Sequence, residues 1–170
     1  KLQQVEVYRG MGMPEQAIEQ NRVISEQVFA IVEKYEAPDE NFRKEALSYL
    51  ASVGMPDDVA VPMIDQYGSP WMFYFLKYDP APAIREVTVP ALILNGTLDK
   101  QVVSYQNIPV YQEIAAETGR DNMQIVELEG LNHLFQHAET GLPTEYTTIE
   151  ETISEEVLAL MLDFVKSIKK

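Results

Sequence analysis

Two side chains that could act together as a proton-transfer pair, Asp99 and His133, follow two separate apolar segments of the chain. Asp99 stands three residues after Gly96, and His133 stands three residues after Gly130. An imidazole that is oriented by a carboxylate can take a proton from a nucleophile and later return it to a leaving group. The carboxylate holds the ring in the useful tautomer and stabilises the imidazolium that forms. The two residue types therefore predict two of the three members of a nucleophilic triad.

The elements that must position this pair are predicted to be two strands of one sheet. Residues 90–96 form a short, continuous apolar run closed by a glycine, which is typical of a strand buried on both faces. Pro109 is predicted to open a helix that Gly119 ends, and residues 123–128 are predicted to form a second strand. Strand, helix and strand within about forty residues indicate a βαβ unit with parallel strands. Parallel neighbours end at the same sheet edge, roughly 4.8 Å apart, so the carboxylate and the imidazole can meet there.

The first half of the chain has the pattern of amphipathic helices. Pro14 suits a first helical turn, and apolar residues then recur at helical spacing from Ala17 to Tyr35. Asp39 can cap a second helix, whose apolar residues lie between 46 and 53. A shorter helix is expected over residues 59–66.

Another amphipathic helix is predicted near the end of the chain. Thr152 and Glu155 match a capping box. The apolar stripe that follows consists of Val157, Met161, Phe164, Val165 and Ile168. Three lysines, Lys166, Lys169 and Lys170, would lie at its C-terminal end, where the helix dipole favours cations.

Aromatic residues are densest between residues 69 and 80, and two interpretations of this segment are compatible with each other. The first is a buried helix that packs on the core. The second is that some of the rings, Trp71 and Phe73 among them, line an apolar substrate pocket.

The composition limits the class of protein. The chain has 170 residues, 46% hydrophobic and 24% charged, as expected of a soluble globular protein and unlike a disordered one. Its net charge of -14 repels phosphate backbones and anionic membranes, so nucleic acid is not an expected partner. The absence of cysteine excludes disulfides, thiolate metal sites and a cysteine nucleophile, and it is compatible with either side of a bacterial membrane. No apolar run approaches the ~20 residues needed to span a bilayer.

Several motifs resemble a known family. They are YDP at 78–80, VPALILNGTLDKQV at 89–102, GLNHLFQ at 130–136, TGLPTEY at 140–146 and IEET at 149–152. Together they are similar to the C-terminal portion of bacterial α/β-hydrolases of the esterase and serine-peptidase-like group. The resemblance implies an α/β fold, namely the C-terminal part of an α/β-hydrolase, with a helical cap region at 1–68 and part of the core at 69–170. It also implies the order Ser, Asp, His for the triad, which Asp99 and His133 match.

The chain departs from this family at the nucleophile. A hydrolase of this fold needs Gly-x-Ser-x-Gly on a strand-to-helix turn. None of the serines has these neighbours; they are Ser25, Ser48, Ser52, Ser69, Ser104, Ser154 and Ser167. Because the chain also starts at Lys1 and not at Met, we expect it to be a piece of a longer enzyme, with the serine upstream.

The resemblance thus implies a parent serine hydrolase that cleaves an ester or related acyl bond, whereas these 170 residues alone should be inactive. The implied partner is a small-molecule acyl ester, and no cofactor is needed. Two strands would leave sheet edges open, so association with the missing N-terminal part or with a second copy is expected.

Two alternatives to the hydrolase remain. Asp99, His133 and His137 could form a two-His-one-carboxylate metal site, although Leu134 breaks the His-Glu-x-x-His signature of zinc peptidases. The chain could also be a non-catalytic, hydrolase-like module with a binding or structural role.

Overall fold

A computed structural model describes residues 2–168, and contacts divide them into two compact units. A helical unit comprises residues 13–79, and an α/β unit comprises residues 2–12 together with residues from 80 onward. The elements in chain order are α1 (Leu2–Gly10), α2 (Glu15–Lys34), α3 (Glu40–Ser52), α4 (Asp57–Tyr67), α5 (Pro70–Lys77), α6 (Ala81–Arg85), β1 (Ala91–Gly96), α7 (Ser104–Thr118), β2 (Met123–Leu128), a 3-10 turn (Pro143–Glu145) and α8 (Glu155–Ser167).

The helical unit forms from helices with clear start signals. Pro14 immediately precedes α2, and Asp39 caps α3 by accepting a hydrogen bond from the backbone N–H of Phe42 at 2.9 Å. The apolar positions then meet in one core, whose buried members are Val28, Ile31, Val32, Phe42, Ala46, Leu50, Ala60, Ile64 and Phe73. The three helices predicted in the first half are therefore confirmed.

The aromatic segment forms the short helix α5, and its burial differs from one ring to the next. Phe73 is 3% exposed and packs edge-on against Phe42, with ring centroids 5.2 Å apart. Trp71 is 67% exposed and stacks on Phe75, which is also exposed. An eight-residue helix presents about one position per turn to a core. The predicted buried packing is thus confirmed for Phe73 and wrong for these two neighbours.

In the α/β unit, β1 and β2 pair in parallel, from Ala91 opposite Met123 to Gly96 opposite Leu128. The helix α7 connects them, which confirms the predicted βαβ unit. The side chains at 91–94 are half-buried, not fully buried as predicted, because β1 has a hydrogen-bonded neighbour on one side within residues 2–168. The fold is mixed α/β with a small parallel sheet.

Two predicted helix starts are wrong. The helix α7 begins at Ser104, and Pro109 lies inside it, where the helix loses one backbone hydrogen bond but keeps Ile108 and Ile114 buried. Its end at Gly119, in the left-handed region with φ 62°, is as predicted.

The helix α8 is capped by Ser154, whose hydroxyl accepts from the N–H of Glu156 at 3.3 Å, and not by Thr152. Ser154 is buried and its own N–H donates to the carbonyl of Phe135, which fixes the start of the helix. Val157 of the predicted stripe is buried, whereas Met161, Val165 and Ile168 are exposed. Lys169 and Lys170 lie outside the described residues.

The predicted division at 68 and 69 into cap and core stays a prediction, and the two compact units differ from it in extent. The helix α1 belongs to the α/β unit, where Glu6 pairs with Lys100 at 3.3 Å and accepts from the hydroxyl of Tyr105 at 3.1 Å. The helix α5 belongs to the helical unit through Phe73. Among residues 2–168, no helix is long and apolar enough to cross a lipid bilayer.

Candidate functional site

Asp99 and His133, the two residues singled out in the sequence, form a hydrogen-bonded pair. Asp99 lies in the loop after β1 and His133 in the loop after β2. Nδ1 of His133 is 2.9 Å from Oδ2 of Asp99. The carboxylate side chain is 7% exposed and the imidazole 36% exposed. Parallel strands thus bring a buried carboxylate and a half-exposed imidazole together at one edge of the sheet, as the sequence predicted.

The carboxylate of Asp99 has a fixed orientation. Its Oδ1 accepts from the backbone N–H groups of Gln101 and Val102, both at 2.8 Å. Its Oδ2 faces His133 and lies 3.4 Å from Nδ2 of Asn95, which also donates to the carbonyl of Val102 at 2.9 Å. With Oδ1 engaged by the backbone, Oδ2 is the oxygen available to the imidazole.

Asn95 was not identified as a site residue from the sequence. It is buried and stands four residues before Asp99, at the end of the apolar run. A polar side chain inside such a run is the signal that could have identified it, because a buried amide needs hydrogen-bond partners nearby.

The two loops approach each other closely because residue 96 is glycine. A Cβ at Gly96 would lie 2.1 Å from the carbonyl oxygen of Leu131. That carbonyl accepts from the N–H of Leu98 at 3.0 Å, and the N–H of Gly130 donates to the hydroxyl of Thr97 at 2.8 Å. The loop after β1 is therefore bonded directly to the loop that carries His133.

A small pocket of about 210 Å³ lies beside the pair. Asn95, Asp99 and His133 contribute polar groups to it, and Tyr111 and Phe135 contribute aromatic rings. Since Nδ1 of His133 is bonded to Asp99, Nε2 is the ring nitrogen that can accept a proton from a reacting group. The arrangement can serve as a general base and then as a general acid.

His137 belongs to a different pair. Its Nδ1 lies 3.1 and 3.0 Å from the two carboxylate oxygens of Glu151, and its backbone N–H donates to Glu151 at 2.6 Å. These hydrogen bonds, the backbone one first, lower the pKa of Glu151. His137 is exposed and locally hydrogen-bonded, as predicted.

The alternative metal site finds no support in these positions, since His133 is bonded to Asp99 and His137 to Glu151. In the part of the chain that the structure describes, no group of three or more His, Cys, Asp or Glu side chains could hold a metal ion.

A turn at 139–145 lies against the loop that carries Asp99. The carboxylate of Glu145 accepts from the backbone N–H groups of Glu139 at 2.7 Å, Thr140 at 3.1 Å and Gly141 at 2.9 Å. These bonds, together with the Thr140 hydroxyl, lower the pKa of Glu145. A Cβ at Gly141, where φ is 73°, would lie 1.8 Å from the carbonyl oxygen of Leu98, so the turn touches the residue before Asp99.

The two aromatic residues predicted to bind substrate, Trp71 and Phe73, lie in the helical unit. Phe73 lines a pocket of about 450 Å³ within that unit, together with Pro38, Tyr74 and Tyr78. Trp71 stacks on Phe75 at the surface of α5. Their role in substrate binding stays a prediction.

Three serine hydroxyls donate to backbone carbonyls three residues earlier, which is typical of a structural role. They are Ser52, Ser69 and Ser167.

Comparison with known proteins gives a distant esterase relationship. Esterase EstD of Thermotoga maritima is 25% identical to this chain over 145 residues, a match that covers 74% of this chain and 34% of EstD. The chain thus spans about a third of the length of this curated relative. No family model matches the chain. No solved structure gives a significant match.

Proposed function

We propose that this chain carries the acid and the histidine of a serine hydrolase that cleaves an ester or related acyl bond. The observation that carries the proposal is the hydrogen bond from His133 to a buried Asp99, at the C-terminal ends of two parallel strands. The distant similarity to a protein described as an esterase supports the same reaction class. The triad in this proposal is completed by a serine from outside these 170 residues.

The mechanism assigns one role to each residue. The serine attacks the acyl carbon while Nε2 of His133 takes the hydroxyl proton, and a tetrahedral intermediate forms. His133 then gives this proton to the leaving alkoxide, so that the C–O bond breaks and an acyl-enzyme remains. Water then attacks the acyl-enzyme while His133 takes its proton. His133 returns this proton to the serine, and the carboxylic acid is released. Asp99 keeps the imidazole in the Nδ1-protonated tautomer and stabilises the imidazolium.

The proposed substrate is a small-molecule acyl ester, and the reaction needs no cofactor. Trp71 and Phe73 are proposed to contact the acyl group, Trp71 through its exposed ring and Phe73 through the pocket that it lines. The helical region to which α5 belongs is proposed to act as the cap that excludes water from the reaction.

The test is covalent labelling of the complete gene product by a fluorophosphonate probe, which reacts with activated serines. We expect one serine outside this chain to be labelled, and we expect His133→Ala to abolish labelling because the proton acceptor is gone. The matched control is His137→Ala, which should label like the wild type because His137 contacts Glu151 and not Asp99.

Two results would contradict the proposal. Equal loss of labelling in both histidine variants would indicate that His133 and His137 both act by stabilising the structure. No labelling of a well-folded wild type would indicate a hydrolase-like scaffold with a binding role.

A further inference from the structure

Two buried side-chain amides, Asn132 and Gln136, lie on either side of His133 in the loop after β2. Nδ2 of Asn132 donates to Oε1 of Gln136 at 2.9 Å, and the two residues are 0% and 6% exposed. The proposed mechanism uses neither of them. Buried side-chain amides are normally hydrogen-bonded, since leaving one unpaired costs free energy of folding.

The Asn132 side chain fixes the backbone on both sides of His133. Its Oδ1 accepts from the N–H of Leu134 at 2.9 Å and from the N–H of Gln136 at 3.0 Å. The backbone N–H of Asn132 donates to the carbonyl of Gln136 at 3.0 Å, which closes the loop. His133 lies between the residues joined by these bonds, so the direction of its Cα–Cβ bond is set by them.

The Gln136 side chain ties the same loop to the segment before α8. Its Nε2 donates to the carbonyl of Glu151 at 2.7 Å, and the carbonyl of Phe135 accepts from the N–H of Ser154 at 2.8 Å. Phe135 adopts φ 58°, a left-handed conformation that is rare for an aromatic residue. Such a conformation persists where the surrounding bonds determine it.

We infer that Asn132 and Gln136 are positioning residues, which hold His133 with Nδ1 toward Asp99 and leave Nε2 for the reacting group. The inference rests on the proposed function, because the direction of the ring matters for catalysis only if His133 is the base. If apolar side chains replaced the two amides, the N–H groups of Leu134 and Gln136 would lose their acceptor. The loop would then keep only its backbone hydrogen bonds, such as the one from the N–H of Asn132 to the carbonyl of Gln136, and the direction of His133 would be less restricted.

The tautomer of His133 reports on this positioning directly. The chain contains two histidines, so ¹⁵N-histidine labelling gives two imidazoles, of which His137 is an internal reference. In the wild type we expect the neutral ring of His133 to carry its proton on Nδ1, since Asp99 accepts it.

Two variants each remove one side of the amide pair. In Asn132→Ala and in Gln136→Met, we expect Nδ1-protonated His133 to become the minor form, as in a free histidine. The matched control is Asn122→Ala, which removes an amide that donates to the carbonyls of Val87 and Val89 and should leave the ratio unchanged.

The inference is overturned if both variants keep the wild-type tautomer, or if Asn122→Ala changes it equally. If circular dichroism finds that Asn132→Ala does not fold, the tautomer in Gln136→Met tests the inference alone. This variant leaves the bonds of Asn132 Oδ1 intact and removes the bond from Gln136 to the carbonyl of Glu151. A tautomer response without fluorophosphonate labelling of the complete gene product would overturn the proposed function and keep the positioning pair. Labelling without a tautomer response would keep the proposed function and overturn the positioning role of Asn132 and Gln136.

Discussion

At the scale of single residues, the pair depends on backbone that surrounds it closely. Asp99 receives backbone N–H bonds on Oδ1, and Gly96 lets the carbonyl of Leu131 approach to a distance that no Cβ would permit. A side chain at 96 would act on geometry alone, since it would add no charge and remove no hydrogen-bonding group.

Gly96→Ala should therefore separate the two loops and weaken the contact between Asp99 and His133. Because a displacement of about 1 Å at a catalytic group can cost roughly a hundredfold in rate, we expect fluorophosphonate labelling of the complete gene product to fall by about that factor. Overpacking of this kind costs about 1–3 kcal/mol of unfolding free energy, measurable by urea denaturation.

The control for this substitution is Gly10→Ala, whose Cβ would meet the flexible end of the Leu142 side chain and no backbone atom. It should label at the wild-type rate. An unchanged rate in Gly96→Ala would mean that the loops can move apart without losing the pair.

The pair itself could be predicted from the sequence, whereas its support could not. Asp99 and His133 each follow a short apolar strand, and strand polarity alone places them at one edge. The roles of Asn95 and Asn132 depend on which backbone groups the folded loops bring within hydrogen-bond distance, and sequence spacing does not determine this. The aromatic segment was predicted to be buried from its composition, which does not say that α5 buries Phe73 and leaves Trp71 exposed.

At the scale of elements, the turn at 139–145 supports the Asp99 loop through an ionised carboxylate. Glu145 accepts three backbone N–H bonds, and Gly141 contacts the carbonyl of Leu98. The pKa of Glu145 is lowered in the folded chain from its ordinary value of 4.5. Its contribution to stability is therefore fully present above pH 4.5 and is lost as the pH falls through the folded pKa.

We expect the amides of residues 139–141 to stay protected from hydrogen exchange down to about pH 4.5 and to lose protection below it. Glu145→Gln should reduce their protection at neutral pH and remove this pH dependence, because a neutral amide accepts more weakly than a carboxylate. The measurement is residue-resolved exchange between neutral and acid pH.

Glu150→Gln is the control for this prediction, since Glu150 is exposed and lies five residues after Glu145, outside the turn. It should behave like the wild type. A pH profile that Glu145→Gln leaves unchanged would assign the acid response to another group.

Helix ends were less predictable than helix existence. The helix α7 starts five residues before the proline that was expected to open it, because buried residues such as Ile108 hold its first turns. The helix α8 starts from Ser154 because Phe135, distant in sequence, accepts its N–H. Tertiary contacts of this kind outweigh a local capping pattern.

At the scale of the whole molecule, the chain brings Asp99 and His133 together without a serine in the Gly-x-Ser-x-Gly context of a nucleophile. It spans about a third of the length of its esterase relative, and several apolar residues of α8, among them Leu162 and Val165, are exposed within the described part of the chain. Such a surface is typical of a face that binds another protein segment.

We expect the 170 residues alone not to hydrolyse a p-nitrophenyl ester, because a general base without its nucleophile does not form an acyl-enzyme. Steady-state assays that compare the chain with its His133→Ala variant test this, since both should match the uncatalysed rate. Turnover by the chain that disappears in the variant would mean that one of its own serines is the nucleophile.

The stacked rings on α5 have a further consequence for experiments. Trp71 is the one tryptophan of the sequence, and it lies exposed against Phe75. The tryptophan fluorescence of the chain, excited at a wavelength that the tyrosines absorb little, therefore comes from a single place. Its emission is that of an indole ring exposed to water. Any substrate or protein segment that covers this ring will shift the emission to shorter wavelength, so that an unlabelled sample locates the event on α5.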